Sequence, residues 1–530
     1  MSLPKRPQPS QFSVDNLMGD AFAPADPYRL FLERLHPVLL QARPQLELCY
    51  CRSNGRPARE PVLMLGITLL QFIEKLPDRQ AMHMLKYHLG WKLALQQELG
   101  VEELDPSLLV YFRQRLMESA QGKLLFDSVL QALIQTGLVP RGGKRRLDST
   151  SVLGLLADLS EAEKLYETMR LAVVHLQGAK LTLPTWFEGL VDRYVRSRPD
   201  WRMTKPQAKA YCQKLGQDLQ LLWQWVHAEQ SEQLAHRPLV LLDRVYEESF
   251  ALKEEALEHA NPGPGSLCNP HEPDAVVGRK GKDRWVGFKV QISESVPQHK
   301  AQAGEPTGGF ITAVHTQVAS EGDIKSLPAV REAEKLAGLE TPEQRYVDSA
   351  YLSGVQLRQE QQAGGELMGP LGGSSAEHPA IKQGFVIEPN GQHAICPAGH
   401  ANEFCRVCQK KPRHTQFYRL VWKKCCKECP LRQGCLGRHS ERQVEAVADY
   451  ALLSERRERQ KSDEFREQMH QRNGIEGTIS ELVRGYGMRR TRYRSLPKVS
   501  LCNLLIAAAC NARRWLRRLQ WQLQPACAVS

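Results

Sequence analysis

One helical stretch, Glu464 to Tyr493, constrains this chain more than any other, because it sets a carboxylate and arginines beside a buried stripe. Ile475, Ile479, Leu482 and Val483 recur at i, i+4, i+7 and i+8, the spacing of a helix with one face in a core. Arg472, Glu476, Ser480 and Arg484 form a neighbouring stripe four residues apart, which puts Glu476 at the lip of that core. The plainer alternative is a surface pairing of Glu476 with Arg472 and Arg484. Gly474 and Gly477 flank the glutamate, and each costs a helix interior about 1 kcal/mol relative to alanine, so something is expected to approach the backbone there. Beyond Glu481 the chain holds no acidic residue but ten cations: Arg484, Arg489, Arg490, Arg492, Arg494, Lys498, Arg513, Arg514, Arg517 and Arg518. This tail carries most of the formal net charge of +12 and reads as a surface for a polyanion, nucleic acid above all.

At 530 residues, 42% hydrophobic and 25% charged, the chain is globular and long enough for roughly two to four units. Its longest apolar runs, Val62 to Leu70 and Leu504 to Cys510, fall short of the ~20 residues that span a bilayer. Met1 to Asp26 has no apolar core of a secretory signal, so a soluble, cytoplasmic protein with no membrane partner is expected.

Residues 1–25 read as a flexible tail, and 26–140 as a helical domain for DNA binding or dimerisation, between which the pattern does not choose. Within it, Pro61 to Leu76 is apolar nearly all round, Arg79 to Leu95 forms another helix, and Asp105-Pro106 starts a helix over Ser107 to Met117. Gly142 to Leu153 turns β-prone around Asp148, and an aspartate inside a strand is unfavourable enough to be a candidate site residue, with a turn as the alternative. A tryptophan-rich helical insertion follows over 155–265, and Asn261 to Pro273 is a connector. Arg284 to Ser293 and Gly309 to Gln317 alternate as hairpin strands. Asp323 is placed to cap a helix reaching Leu336, Arg345 to Ser349 forms a short strand ending in Asp348, and another helix starts near Ser353. This order predicts an α/β, overall α+β, chain built on a mixed sheet.

A cysteine-rich insertion spans 390–440. Cys405 and Cys408 form one CxxC and Cys426 and Cys429 another, about 20 residues apart, the pattern of a closed structural Zn²⁺ site; Cys396 and Cys435 with Cys426 and Cys429 make an alternative set. Asp148, Asp348 and Glu476, on two strands and a helix, are the oxygen ligands that hard Mg²⁺ (or Mn²⁺) ions need for in-line phosphoryl transfer.

With LDST around Asp148, RWVGFKVQI, YVDSAYLSG around Asp348, CKECPLRQGC, and RNGIEGTISELVRGYGMRRTRYRS followed by AAACNARR, the chain resembles the bacterial insertion-sequence DDE transposases, closest to the eleven-eighty-two group. REPVLMLGITLL and DPSLLVYFRQRL look like the helical domain that precedes catalysis in relatives. The resemblance implies an RNase H-like catalytic domain over 141–500, interrupted by the two insertions, a C-terminal basic helix over 501–530, and a catalytic triad of Asp148, Asp348 and Glu476. It also implies Mg²⁺-dependent cleavage and strand transfer on double-stranded DNA, at the element's terminal inverted repeats and its target, by a homodimer or higher oligomer. In this assignment Arg472, Arg484, Arg489, Arg490, Arg492 and Lys498 hold phosphates. Relatives often carry a Tyr, Arg, Glu, Lys signature; here Met469 stands at its tyrosine position and Val483 at its lysine position, with Arg484 next to it. Glu481 is the rival third carboxylate, and Trp422 a candidate to stack on an unpaired base, core packing being the alternative. Two other functions share these features: a transposase-derived DNA-binding protein without chemistry, and a two-metal nuclease of the same fold.

Overall fold

The computed structural model describes the chain except residues 1, 5–9, 52–53, 101–102, 254–255, 261–262, 299–301, 373–383, 411–414, 448 and 524–530. Part of the expected tail, of the connector and of the C-terminal stretch therefore lies outside the described residues. Within the tail, a short helix over Val14–Met18 is capped by Ser13 and buries Val14.

α1 (Pro61–Glu74) begins with a proline in its first turn, where no backbone N–H is required, and is buried nearly all round. It stops before Leu76 because Lys75 turns left-handed, at φ 60°. The single helix expected over Arg79 to Leu95 is two, α2 (Asp78–Tyr87) and α3 (Leu89–Ala94). His88 breaks it: its backbone is extended, and its Nδ1 accepts the Trp91 N–H at 3.3 Å. α4 (Ser107–Glu118) starts where Asp105 Oδ1 accepts the Ser107 N–H at 2.8 Å, and α5 (Leu124–Gln135) leads to the sheet.

The sheet contains β1 (Lys144–Leu153), β2 (Val276–Lys280), β3 (Asp283–Ser295), β4 (Ile311–Val318), β5 (Gln344–Tyr346) and β6 (Glu366–Met368). β3 pairs antiparallel with β1 on one side, and with β2 and β4 on the other. β5 is parallel to β1, and β6 to β5. This is a curled mixed sheet in RNase H-like order. Between β1 and β2, α6 (Glu161–Gly178), α7 (Lys205–Glu229) and α8 (Arg237–Ser249) pack around their own core of Leu165, Met169, Leu219, Leu222 and Leu242. α9 (Leu327–Leu336) and α10 (Gly354–Gln362) flank β5. Asp323 does not cap α9: it lies in a 3-10 turn ahead of it, where it accepts from Gln291 Nε2 at 2.8 Å.

Strand alternation separates the two faces of the sheet. Leu147 and Ala313 face Leu327, Val330 and Leu357 of α9 and α10, while Phe288, Val290 and Ile292 join the core of the N-terminal and C-terminal helices. After the sheet come β7 (Phe404–Lys410), β8 (Thr415–Trp422), α11 (Arg432–Leu436) and β9 (Arg442–Val447), a small antiparallel unit. α12 (Tyr450–Arg459) and α13 (Asp463–Ser480) follow, the latter running into a π turn over Glu481–Gly485.

The last helix, α14 (Leu496–Leu523), is a core helix as well as a basic one. Ala507, Ala508 and Ala509 are fully buried, small enough for its backbone to lie against β4. Asn511 gives and takes the two 2.8 Å hydrogen bonds that a neighbouring strand would otherwise make with Ile311. Arg514 turns inward to Glu481 and Glu294, and Arg518 to Glu305.

Candidate active site

The adjacent arginines of β1 leave on opposite faces, and neither reaches solvent. Arg145 donates to Glu334 Oε2 at 2.9 Å, and Arg345, its register partner on β5, donates to the same oxygen at 2.9 Å and to Glu360 at 2.9 Å. Burial would neutralise Glu334, but its two arginines and the Ser293 hydroxyl hold its carboxyl down at about 2. On the other face Arg146 pairs with Glu294 at 3.0 Å and donates to the Gln471 carbonyl of α13 at 3.1 Å. A Cβ at Gly474 would overlap the Arg146 guanidinium, so the partner that requires this glycine is the chain itself; at Gly477 no atom lies within 4 Å of that position.

These contacts fix β1, β5 and α13 against one another, and the candidate acids stand where the three meet. Asp148 and Asp348 each lie two residues past the last parallel pair, Arg146 with Tyr346. Asp348 is beyond the end of its strand rather than in it: it caps a 3-10 turn, its Oδ1 accepting the Ala350 N–H at 2.9 Å. Asp148 is buried, accepting from Ser149 N–H at 2.7 Å and from Arg472 Nη2 at 2.7 Å. Burial pushes its carboxyl above the usual range and Asp348 adds to the rise, against the pull of the Ser149 amide and Arg472. Arg472 also reaches forward one helical turn to Glu476, at 3.8 Å, whose side chain is 69% exposed. One guanidinium thus stands between the β1 aspartate and the helix glutamate. Tyr351, fully buried, lies within the field of both aspartates and donates to Gln291. Nothing in its sequence position marks it apart from its place three residues after Asp348.

The rival Glu481 is taken up by Arg514, at 2.8 Å. Among the expected phosphate holders, Arg484, Arg490, Arg492 and Lys498 are exposed. Arg489 instead binds the Ser151 carbonyl at 3.0 Å, and its loop is stitched to the end of β1 by Leu153 N–H to Arg489 O (2.8 Å) and Thr491 N–H to Leu153 O (3.1 Å). Sequence reasoning missed three exposed cations at the β2–β3 hairpin, Arg279, Lys280 and Lys282, of which Lys280 acts on Asp148. Trp422 is fully buried with its Nε1 on the His400 carbonyl at 2.9 Å, a core residue and no platform for a base.

The donor chemistry of Asp148 and Asp348 suits a hard divalent ion, and their crowding is of the kind that such an ion relieves. Among the described residues no three His, Cys, Asp or Glu side chains already converge at metal-binding distances, so any ion must draw its ligands together; at the acids, Arg472 stands between Asp148 and Glu476. The two cysteine pairs expected to form one set are not arranged as one: Cys405 and Cys408 are three apart on β7, so they leave on opposite faces, and neither lines the hollow that Cys426 and Cys429 share.

A curled mixed sheet in RNase H-like order, with Asp148 inside β1, Asp348 just past β5 and the Glu476-bearing helix against them, is consistent with the core of a DDE transposase, a class of polynucleotidyl transferase. Residues 395–516 match a family model described as transposase DDE domain, and residues 20–115 one described as transposase domain (DUF772). Together these support an insertion-sequence DDE transposase. The first match contains Glu476 but neither aspartate. No curated protein and no solved structure matches the chain. Among the described residues no helix is long and apolar enough to cross a membrane.

Proposed function

We propose that this transposase cleaves DNA at the terminal inverted repeats of its element and transfers the strand, with Asp148, Asp348 and Glu476 holding Mg²⁺ or Mn²⁺. The observation that carries the reading is Arg472, a phosphate-matching planar fork shared between the β1 aspartate and the helix glutamate. When bound, the ions supply an activated water or 3′-hydroxyl and stabilise the leaving oxygen. The chain supplies the rest. A phosphodiester competes with Asp148 for Arg472; once the guanidinium turns to a non-bridging oxygen, Asp148 is released as a ligand and Glu476 has room to turn in. Arg484, Arg490, Arg492 and Lys498, with Arg279, Lys280 and Lys282, neutralise the DNA backbone without reading its sequence, while Arg489 holds β1 in place. Recognition of the ends falls to the N-terminal helices, and the protein works as a homodimer or higher oligomer on DNA in the cytoplasm.

The test is a linear duplex carrying the element's own ends, incubated with the full chain and Mg²⁺. Wild-type protein should yield cleaved and joined products; Asp148→Asn should abolish both while gel-shift binding persists. Unchanged cleavage by that variant removes Asp148 from the site. Cleavage without joining would make the protein a two-metal nuclease of this fold, and binding without cleavage in either metal a DNA-binding protein only.

A further inference from the structure

The unit of β7, β8 and β9 closes over little apolar material, chiefly Phe385, Leu420, Trp422, Val444 and Ala446. A unit this small is marginal on its core alone and ordinarily needs a staple. Beside that core is a hollow of about 30 Å³ whose lining includes Cys396, Cys426, Cys429 and Cys435. The sulfurs arrive from separate places: Cys396 from a tight turn, Cys426 and Cys429 from the segment after β8, and Cys435 from α11. All four are free thiols.

Two further features point to a missing charge in that hollow. The turn at Cys396 folds back so that the His400 N–H donates to the Cys396 sulfur at 3.4 Å, the kind of backbone N–H···S bond that a metal-bound sulfur accepts. Arg442 lines the hollow with its Nε buried and without a hydrogen-bond partner. Thiols are weak acceptors for such a donor; thiolates are strong ones. Cys425, the neighbour of Cys426, is held elsewhere, its N–H on Glu403 at 2.9 Å.

We propose that Cys396, Cys426, Cys429 and Cys435 bind one structural Zn²⁺ that closes this unit. Binding draws the four sulfurs in to about 2.3 Å from the ion, releases their protons, and leaves a net charge of −2 that Arg442 and Arg432, both in the lining, offset. Four thiolates leave no open coordination position, so this ion is separate from the chemistry on DNA. The inference does not rest on the function proposed above.

The experiment uses the full chain, purified without chelator and free of any affinity tag, with zinc measured by plasma mass spectrometry after dialysis. About one zinc per chain is expected, kept by Cys405→Ser/Cys408→Ser and reduced about tenfold or more by Cys429→Ser/Cys435→Ser. Co²⁺ exchanged into wild-type protein should show thiolate charge-transfer bands and the visible bands of a tetrahedral site. Because the double variant can fail by misfolding, Cys435→His, which keeps a ligand, should retain zinc where Cys435→Ala does not. Wild-type protein that holds no zinc even after incubation with ZnCl₂, or zinc that is lost with Cys405 and Cys408 instead, overturns the proposal.

Discussion

Replacing Glu334 with glutamine changes one atom and should cost more stability than most single substitutions in the chain. The carboxylate is 2% exposed and, among the described residues, is the one carboxylate hydrogen-bonded to Arg145; Arg345 has Glu360 besides. The four buried groups, Arg145, Arg345, Glu334 and Glu360, sum to zero charge, and Glu334→Gln leaves a net positive charge under the sheet. Breaking a buried pair from one side costs about 3–5 kcal/mol, against a total of about 5–15 for a domain. With an m value of about 3 kcal/mol per M in urea, the unfolding midpoint should fall by about 1 to 2 M. Amide exchange on β1 and β5 gives the local readout. The sign with pH is fixed: a carboxyl held down at about 2 contributes above its ordinary value of 4.5 and loses that contribution as pH falls towards 2, so variant and wild type should converge there. Arg145→Met added to Glu334→Gln should recover part of the loss, since it removes the stranded charge. Glu476→Gln, the same chemical change at an exposed site, should stay within about 0.5 kcal/mol. A loss under about 1 kcal/mol for Glu334→Gln, with no recovery in the double variant, would refute the network as the element that ties β1 to β5.

The two helix glycines should respond in opposite directions. Gly474→Ala must displace the Arg146 guanidinium and should destabilise by about 1–3 kcal/mol, whereas Gly477→Ala meets open space and should stabilise by about 0.5–1 kcal/mol in thermal melts without DNA; shifts of one sign for both would contradict the packing of α13 on β1. Burial raises Asp127 to about 6, so its contribution is complete below 3.8 and is lost as pH rises through 6. Asp127→Asn should therefore be more stable than wild type at pH 7.5, by at most about 3 kcal/mol, with the advantage gone below pH 4.

Much of this arrangement was legible in the residues. The strands β1, β3, β4 and β5 with the helices after β4 and β5, the pairing of Arg284 to Ser293 with Gly309 to Gln317, and the helix under Glu476 all follow from periodicity, a local property of the chain; the short strands β2 and β6 do not. What periodicity cannot carry is pairing at a distance. Arg145 and Arg146 look alike in a basic run, yet strand alternation sends one to Glu334 and the other to Glu294, 189 and 148 residues away. The same blindness affected Cys405 and Cys408, whose spacing suits a metal only if their segment forms a turn rather than β7. Asp348 was visible as an acid near a strand end, but not that it caps the turn above Tyr351. Gly474 was correctly read as a place of close approach, though the visitor is an arginine of the same chain.

The stitching of residues 489–491 to Leu153 gives the basic loop a direct hold on the backbone that carries Asp148, five residues upstream. A duplex that grips Arg490 and Arg492 therefore pulls on a rod, not on a tether. If Arg490 and Arg492 seat the substrate as proposed, its arrival and the aim of Asp148 become one mechanical event, and slack introduced at Thr491 would uncouple grip from aim.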